Sequence, residues 1–164
     1  MNKFSAIIRS LVVTLALVSF ISAAGCKTAK KAGEDETAGA DENMMGDSDT
    51  GKAMGLQTIH FPYDAFTLNT EAKAALKNNA QIMKDKPGLK IQVEGHADER
   101  GGIQYNIALG EKRANAVKKY LQDLGVAGES IATISYGKER PVDQGHTEEA
   151  WAKNRRANFA ITTR

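Results

Sequence analysis

No disulfide can form within this chain, because Cys26 is the only cysteine among its 164 residues. Aromatic residues make up 6% of the sequence, with a single tryptophan, which leaves little material for a base-stacking surface. Charge of one sign is also lacking. The 22 Lys and Arg residues nearly balance the 20 Asp and Glu residues, for a net +2. That balance argues against nucleic acid or an acidic membrane surface as partner, and the mixed charges serve mainly to solvate the surface. Long apolar runs are missing as well. The longest, Leu11 to Ile21, falls well short of the roughly 20 residues that span a bilayer as a helix. No internal repeat is present. What remains, 41% hydrophobic and 26% charged, suits one ordinary soluble domain with extra segments.

The first 25 residues have the form of an export signal. Lys3 and Arg9 are the only charges ahead of the apolar run, and the small residues Ser22-Ala23-Ala24-Gly25 lead into Cys26. A lone cysteine at that point belongs either to an ordinary secretory signal or to a site of modification or intermolecular pairing. Ala23-Ala24-Gly25-Cys26 resembles the bacterial lipobox, which implies acyl chains on Cys26. Several chains at ~0.8 kcal/mol per buried methylene would hold a protein durably at a membrane. Lys27 follows, with no acidic residue beside it, and the resemblance then implies the outer membrane. Residues 26–56 read as a tether. Glu34-Asp35-Glu36, Asp41-Glu42 and Asp47-Ser48-Asp49 alternate with Gly and Ala, and such a segment has too little apolar surface to offset its ordering entropy. As a flexible chain it would reach roughly 30 Å.

Periodic structure begins at Gln57, and residues 57–164 form the expected domain. Thr58-Ile59-His60-Phe61 alternates as a half-buried strand until Pro62. Asn69 caps a helix with the stripe Ala72, Leu76, Ala80 and Met83, which ends at Pro87-Gly88. Lys90 to Glu94 forms a second strand, Gly95 to Gly102 a loop, and Ile103 to Leu124 the longest helix, stopped by Gly125. A third strand over Ile131 to Tyr136, a short helix capped by Thr147, and a last strand with Ala157, Phe159 and Ile161 on one face complete a βαβαβαβ order. Four strands cannot easily carry helices on both sides. The expected class is therefore α+β, a two-layer sandwich with a four-stranded mixed sheet and helices on one face.

The densest chemistry lies in Glu94 to Arg113, EGHADERGGIQYNIALGEKR. Charged side chains on a loop at the carboxyl end of a strand are well placed to meet a ligand. A metal site built on His96 and Asp98 lacks the further His or Cys that zinc requires. Acid–base catalysis by Asp98 and Glu99 lacks a nucleophile or oxyanion arrangement. A purely structural loop, in which Asp98 and Arg100 satisfy backbone groups, stays open for each residue taken alone. His96 reads as a structural hydrogen-bonder, and Trp151 and Tyr136 as packing residues.

Gly95 to Gly101, Tyr105-Asn106, Leu109-Gly110, Arg113 to Val117, Ser135 to Pro141 and Lys153 to Ala157 together resemble the signature of the OmpA-like peptidoglycan-binding domain family. With the lipobox and the tether, the HADERG form is similar to the lipoprotein branch of that family. The resemblance implies a binding protein, with no enzyme activity and no cofactor or metal. Its ligand would be the diaminopimelate of the peptidoglycan stem peptide, whose free end carries an ammonium and a carboxylate on one carbon. Asp98 would accept the ammonium, and Arg113 would grip the carboxylate through two parallel hydrogen bonds. Asp64, Phe61, Asn106 and Arg155 would support them, and Arg155 or Arg156 would otherwise pair with acids such as Glu94. The resemblance further implies TolB-like and TolA-like partners, with the TolB surface overlapping the cleft. Two alternatives remain beside it: a wall hydrolase using Glu99 and His96, and a lipoprotein whose loop serves only a protein partner. On the binding reading, Asp98→Ala or Arg113→Ala should abolish capture by cell-wall sacculi and leave thermal unfolding nearly unchanged.

Overall fold

The computed structural model describes residues 46–163. The signal segment, Cys26 and the tether through residue 45 lie outside the described residues. Strands β1 (Ile59–His60), β2 (Lys90–His96), β3 (Ile131–Gly137) and β4 (Arg156–Thr163) alternate with helices α1 (Thr70–Lys84), α2 (Ile103–Asp123) and α3 (Glu148–Asn154). The sheet order is β1-β4-β2-β3. β4 runs antiparallel to both β1 and β2, while β2 and β3 are parallel, so the sheet is mixed. This is the α+β sandwich expected above.

Local chemistry sets the helix boundaries. The Asn69 side chain accepts from Ala72 N at 2.8 Å and Glu71 sits in the first turn of α1, both favourable at a helix N-terminus. Ala72, Leu76, Ala80 and Met83 are buried on α1, and Ala114, Val117 and Leu121 on α2. These stripes close over Ile91 and Val93 of β2 and Phe159 and Ile161 of β4, all at most 1% exposed. Each such side chain contributes roughly 1.5–3 kcal/mol on burial.

Two departures from expectation bear on the site. β2 continues through Gly95 and His96, because these residues still pair with Ser135 and Gly137 of β3. The projecting loop therefore starts at Ala97. Residues 46–56, read from composition as the end of the tether, instead pack on the domain. Asp47 bridges Ala160, and Ala53 and Leu56 enter the core at 1% and 4% exposure. Asn158 Oδ1 accepts from Ser48 N, Ser48 Oγ and Asp49 N, and Arg156 Nε donates to Asp49 Oδ2 at 2.6 Å. Averaged composition hid this strap, because a few residues with distant partners were enough to fasten it.

Candidate functional site

The site sits where β2 ends and α2 begins its second and third turns. Helix and strand come unusually close there. A Cβ placed on Gly95 would lie 1.8 Å from Gly110 O, so only glycine permits this approach. Ser135 Oγ donates to Ile107 O at 2.7 Å and fixes the helix from the β3 side. The loop after β2 is tied down in turn. Ala97 N donates to Gly137 O, Lys138 Nζ donates to Glu99 O and Gly101 O, and Asn106 Nδ2 donates to Arg100 O.

Asp98 is 4% exposed and its carboxylate is fully engaged. Oδ1 accepts from Arg100 N at 3.1 Å and Arg100 Nε at 3.2 Å, and Oδ2 accepts from Arg100 Nη2 at 2.6 Å and Arg155 Nη1 at 3.3 Å. Burial works against ionisation, yet the Arg100 hydrogen bonds and charge hold the carboxyl below the usual aspartate range. Arg155 is a buried brace. Its Nε donates to Phe61 O and its Nη2 to Glu148 Oε1. Its acids are thus Asp98 and Glu148, and Arg156 pairs with Asp49. Neither meets Glu94, whose carboxylate accepts from Asn158 Nδ2 at 2.9 Å.

Arg113 is completely buried, and its guanidinium knits three chain segments together. Nε donates to Ala65 O at 2.9 Å, Nη1 to His96 O at 2.7 Å and Nη2 to Pro62 O at 3.2 Å. The Phe61 ring lies beneath it at 5.2 Å. Burial pushes the guanidinium down to about 10, still protonated at neutral pH, with the nearby Asp98 charge opposing the fall. One N–H on each Nη makes no hydrogen bond within the protein.

Between these two groups lies a cleft of about 240 Å³, lined by Asp98 and Arg113 together with Asp64, Asn106, Tyr63 and Tyr105. Arg100, Gly101 and Leu109 complete its wall. Asp64 has a left-handed backbone, φ 49°, which aspartate tolerates better than most residues, and its carboxylate accepts from the Tyr105 hydroxyl. The structure thus brings Asp98, Arg113, Asp64 and Asn106 to one cavity. Phe61 and Arg155 stand behind it, the first under Arg113 and the second behind Asp98.

Sequence reasoning missed how Arg100 is held. Its guanidinium lies 4.1 Å from the ring centroids of both Tyr63 and Trp151, so Trp151 is half of a cation–π clamp. Nothing local connects positions 63, 100 and 151. His96 departs from expectation too. It is 1% exposed, neither ring nitrogen has a hydrogen-bond partner, and Glu94 Oε2 lies 3.8 Å from Nε2, beyond hydrogen-bond reach. Burial lowers its pKa and favours the neutral ring. Glu99 does not meet His96. It accepts from Trp151 Nε1 and bonds His146 Nδ1, each at 2.8 Å, which places His146 beside the loop. The pair required for a hydrolase is therefore separated. Among the described residues, no three His, Cys, Asp or Glu side chains cluster as for a metal ion, and no helix is long and apolar enough to cross a membrane.

Residues 60–155 match the OmpA family. A peptidoglycan-associated lipoprotein of Pseudomonas aeruginosa is 40% identical over 149 residues, covering 84% of this chain and 88% of that one. Its namesake in Haemophilus influenzae is 38% identical over 160 residues, 98% of this chain and 99% of the other. Among solved structures, the peptidoglycan-associated lipoprotein of Burkholderia pseudomallei superposes with a TM-score of 0.62 at 41% identity, over 63% of this chain and 88% of that one. The C-terminal domain of Helicobacter pylori MotB gives a TM-score of 0.63 at 24% identity, over 67% and 87% of the two chains, and shares the fold.

Proposed function

The chain belongs to the OmpA family and, within it, to the peptidoglycan-associated lipoproteins; from that premise we propose that the cleft at the end of β2 holds the zwitterionic head of a diaminopimelate residue in the wall's stem peptide. The chain is a binding protein and not an enzyme. One observation carries the reading: a buried carboxylate, Asp98, and a buried guanidinium, Arg113, line the same small cavity. An amino acid head needs one anion and one cation within a single cavity, and each charge-assisted bond shielded from water contributes roughly 1.5–3 kcal/mol. Two such contacts with loop contacts support micromolar binding, since ~8 kcal/mol corresponds to a micromolar Kd. Many copies on one polymer add avidity.

In this reading residues 1–25 direct export, Cys26 carries the lipid, and the tether lets the domain leave the outer membrane for the wall. The protein links the two layers non-covalently and serves envelope integrity and cell division. TolB-like and TolA-like proteins are its partners, and a TolB-like partner competes with the wall for the cleft.

The test is capture by purified sacculi. Arg113→Ala does not serve alone, contrary to the expectation from sequence. Removing it leaves Ala65, His96 and Pro62 carbonyls without their donor and costs stability of about 3 kcal/mol or more. Asp98→Asn keeps the shape and removes the charge. Its expected result is loss of at least about tenfold in affinity, worth ~1.4 kcal/mol, with the cooperative unfolding transition retained. Undiminished capture by folded Asp98→Asn sinks the assignment.

A further inference from the structure

The carboxylate assigned to the ligand's ammonium is already full. Its two oxygens accept four hydrogen bonds, three from Arg100 and one from Arg155. A carboxylate has about four acceptor positions, so an ammonium cannot be added to Asp98. It must replace something.

The two arginines differ in what holds them. Arg155 has 8% of its side chain exposed and also spans Phe61 O and Glu148, so moving it breaks a buried brace. Arg100 has 30% of its side chain exposed and stands at the cleft wall. Apart from Asp98, its guanidinium is held by the faces of Tyr63 and Trp151 and by Glu148 Oε2 at 3.6 Å. Stacking between rings resists tilting but permits sliding in the plane, because the attraction to a ring face has little in-plane direction. Arg100 can therefore leave Asp98 without leaving its clamp.

We propose that Arg100 is an exchangeable occupant of the site and sets its specificity, an inference that rests on the function proposed above. In the free protein its guanidinium holds the place of the ligand's ammonium. When a diamino acid head enters, the ammonium takes over Asp98, and Arg100 slides onto the carboxylate borne by the same carbon. Ion pairs are conserved through the exchange: Asp98 trades one cation for another, and Arg100 trades one carboxylate for another. A ligand end with an ammonium but no carboxylate also has to displace Arg100, yet gives it nothing in return. The device thus discriminates against amine-only ends, and it does so through a cation that begins as the ligand's competitor. Arg113, with all three nitrogens committed to backbone carbonyls, adds a fixed positive charge and its spare N–H groups from below.

Calorimetry on the full chain tests this with two synthetic stem tripeptides, one ending in meso-diaminopimelate and one ending in lysine. The wild-type protein is expected to prefer the first by about tenfold or more, a difference of ~1.4 kcal/mol. In Arg100→Gln that preference should fall by about fivefold or more, chiefly because the lysine peptide binds more tightly once its competitor is gone. A smaller fall overturns the inference, and so does equal weakening of both peptides. If the wild-type protein binds neither peptide, the functional reading itself fails and takes this one with it. A measurement on the unaltered protein guards against misfolding of the variant. The Arg100 Nε–H resonance should move when the diaminopimelate peptide saturates the site, and a resonance that stays in place overturns the exchange.

Discussion

Gly95→Ala tests the close helix–strand contact on which the cleft depends. The added methyl would meet Gly110 O at 1.8 Å, Gly110 C at 2.5 Å and Gly110 Cα at 3.1 Å. All three are backbone atoms of α2, so no side chain can swing aside, and the helix must retreat by about 2 Å to restore ordinary contact. Retreat loosens Val117 and Leu121, both at 0% exposure, and overpacking of this kind costs typically 1–3 kcal/mol. It also stretches the Arg113 bonds to Ala65, His96 and Pro62, adding about 1 kcal/mol or more. The sum is about 3 kcal/mol, or a fall in Tm of roughly 12 °C for a domain of this size. Thermal and urea unfolding should both report it. At temperatures where the variant is folded, its affinity for a stem peptide should fall as well, since Asn106 and Arg113 ride on the displaced helix. Gly102→Ala is the control, because a Cβ there meets nothing within 4 Å and its φ of −77° suits any residue. A loss below about 1 kcal/mol in Gly95→Ala, or an equal loss in the control, refutes the argument.

The strap predicts a truncation effect: a chain starting at Gln57 should be at least about 3 kcal/mol less stable in urea than one starting at Gly46. It loses the burial of Ala53 and Leu56 and strands Arg156 without Asp49, so equal stability would contradict the packing described. His96 predicts a pH dependence. Burial lowers its folded pKa below the unfolded value of about 6.5, so the unfolded chain binds more protons between the two values. Stability should therefore decline as pH falls below about 6.5, by at most ~1.4 kcal/mol per pH unit. His96→Leu should flatten that slope, and an unchanged slope would exclude His96 as its source.

What could be read from the sequence is what neighbours in the chain decide. The stripe Ala72, Leu76, Ala80, Met83 and the Asn69 cap are settled within one helix, and they stand as expected. The strap escaped because Ser48 and Asn158, its fastening pair, lie 110 positions apart, and Gly-rich acidic composition says nothing of a partner at that distance. Arg100 escaped for the same reason, since its clamp draws on Tyr63 and Trp151, which belong to no shared periodic pattern. The pairing of Asp98 with Arg113 came only from family resemblance.

The contacts show why spacing alone could not supply that pairing. Arg113 lies well along α2, and it reaches the end of β2 only because Gly95 and Gly110 let the two backbones touch. Having arrived, it binds the carbonyls of Pro62, Ala65 and His96, so the group proposed to face the ligand also closes the walls of the cleft. In the proposed reading, recognition and stability are inseparable at Arg113. Arg100 is tied more locally, since its hydrogen bonds go to a single loop neighbour, Asp98, and its removal leaves those three carbonyls satisfied. A mutation series that begins at Arg113 therefore measures folding first, whereas one that begins at Arg100 disturbs one loop carboxylate and one cation–π clamp.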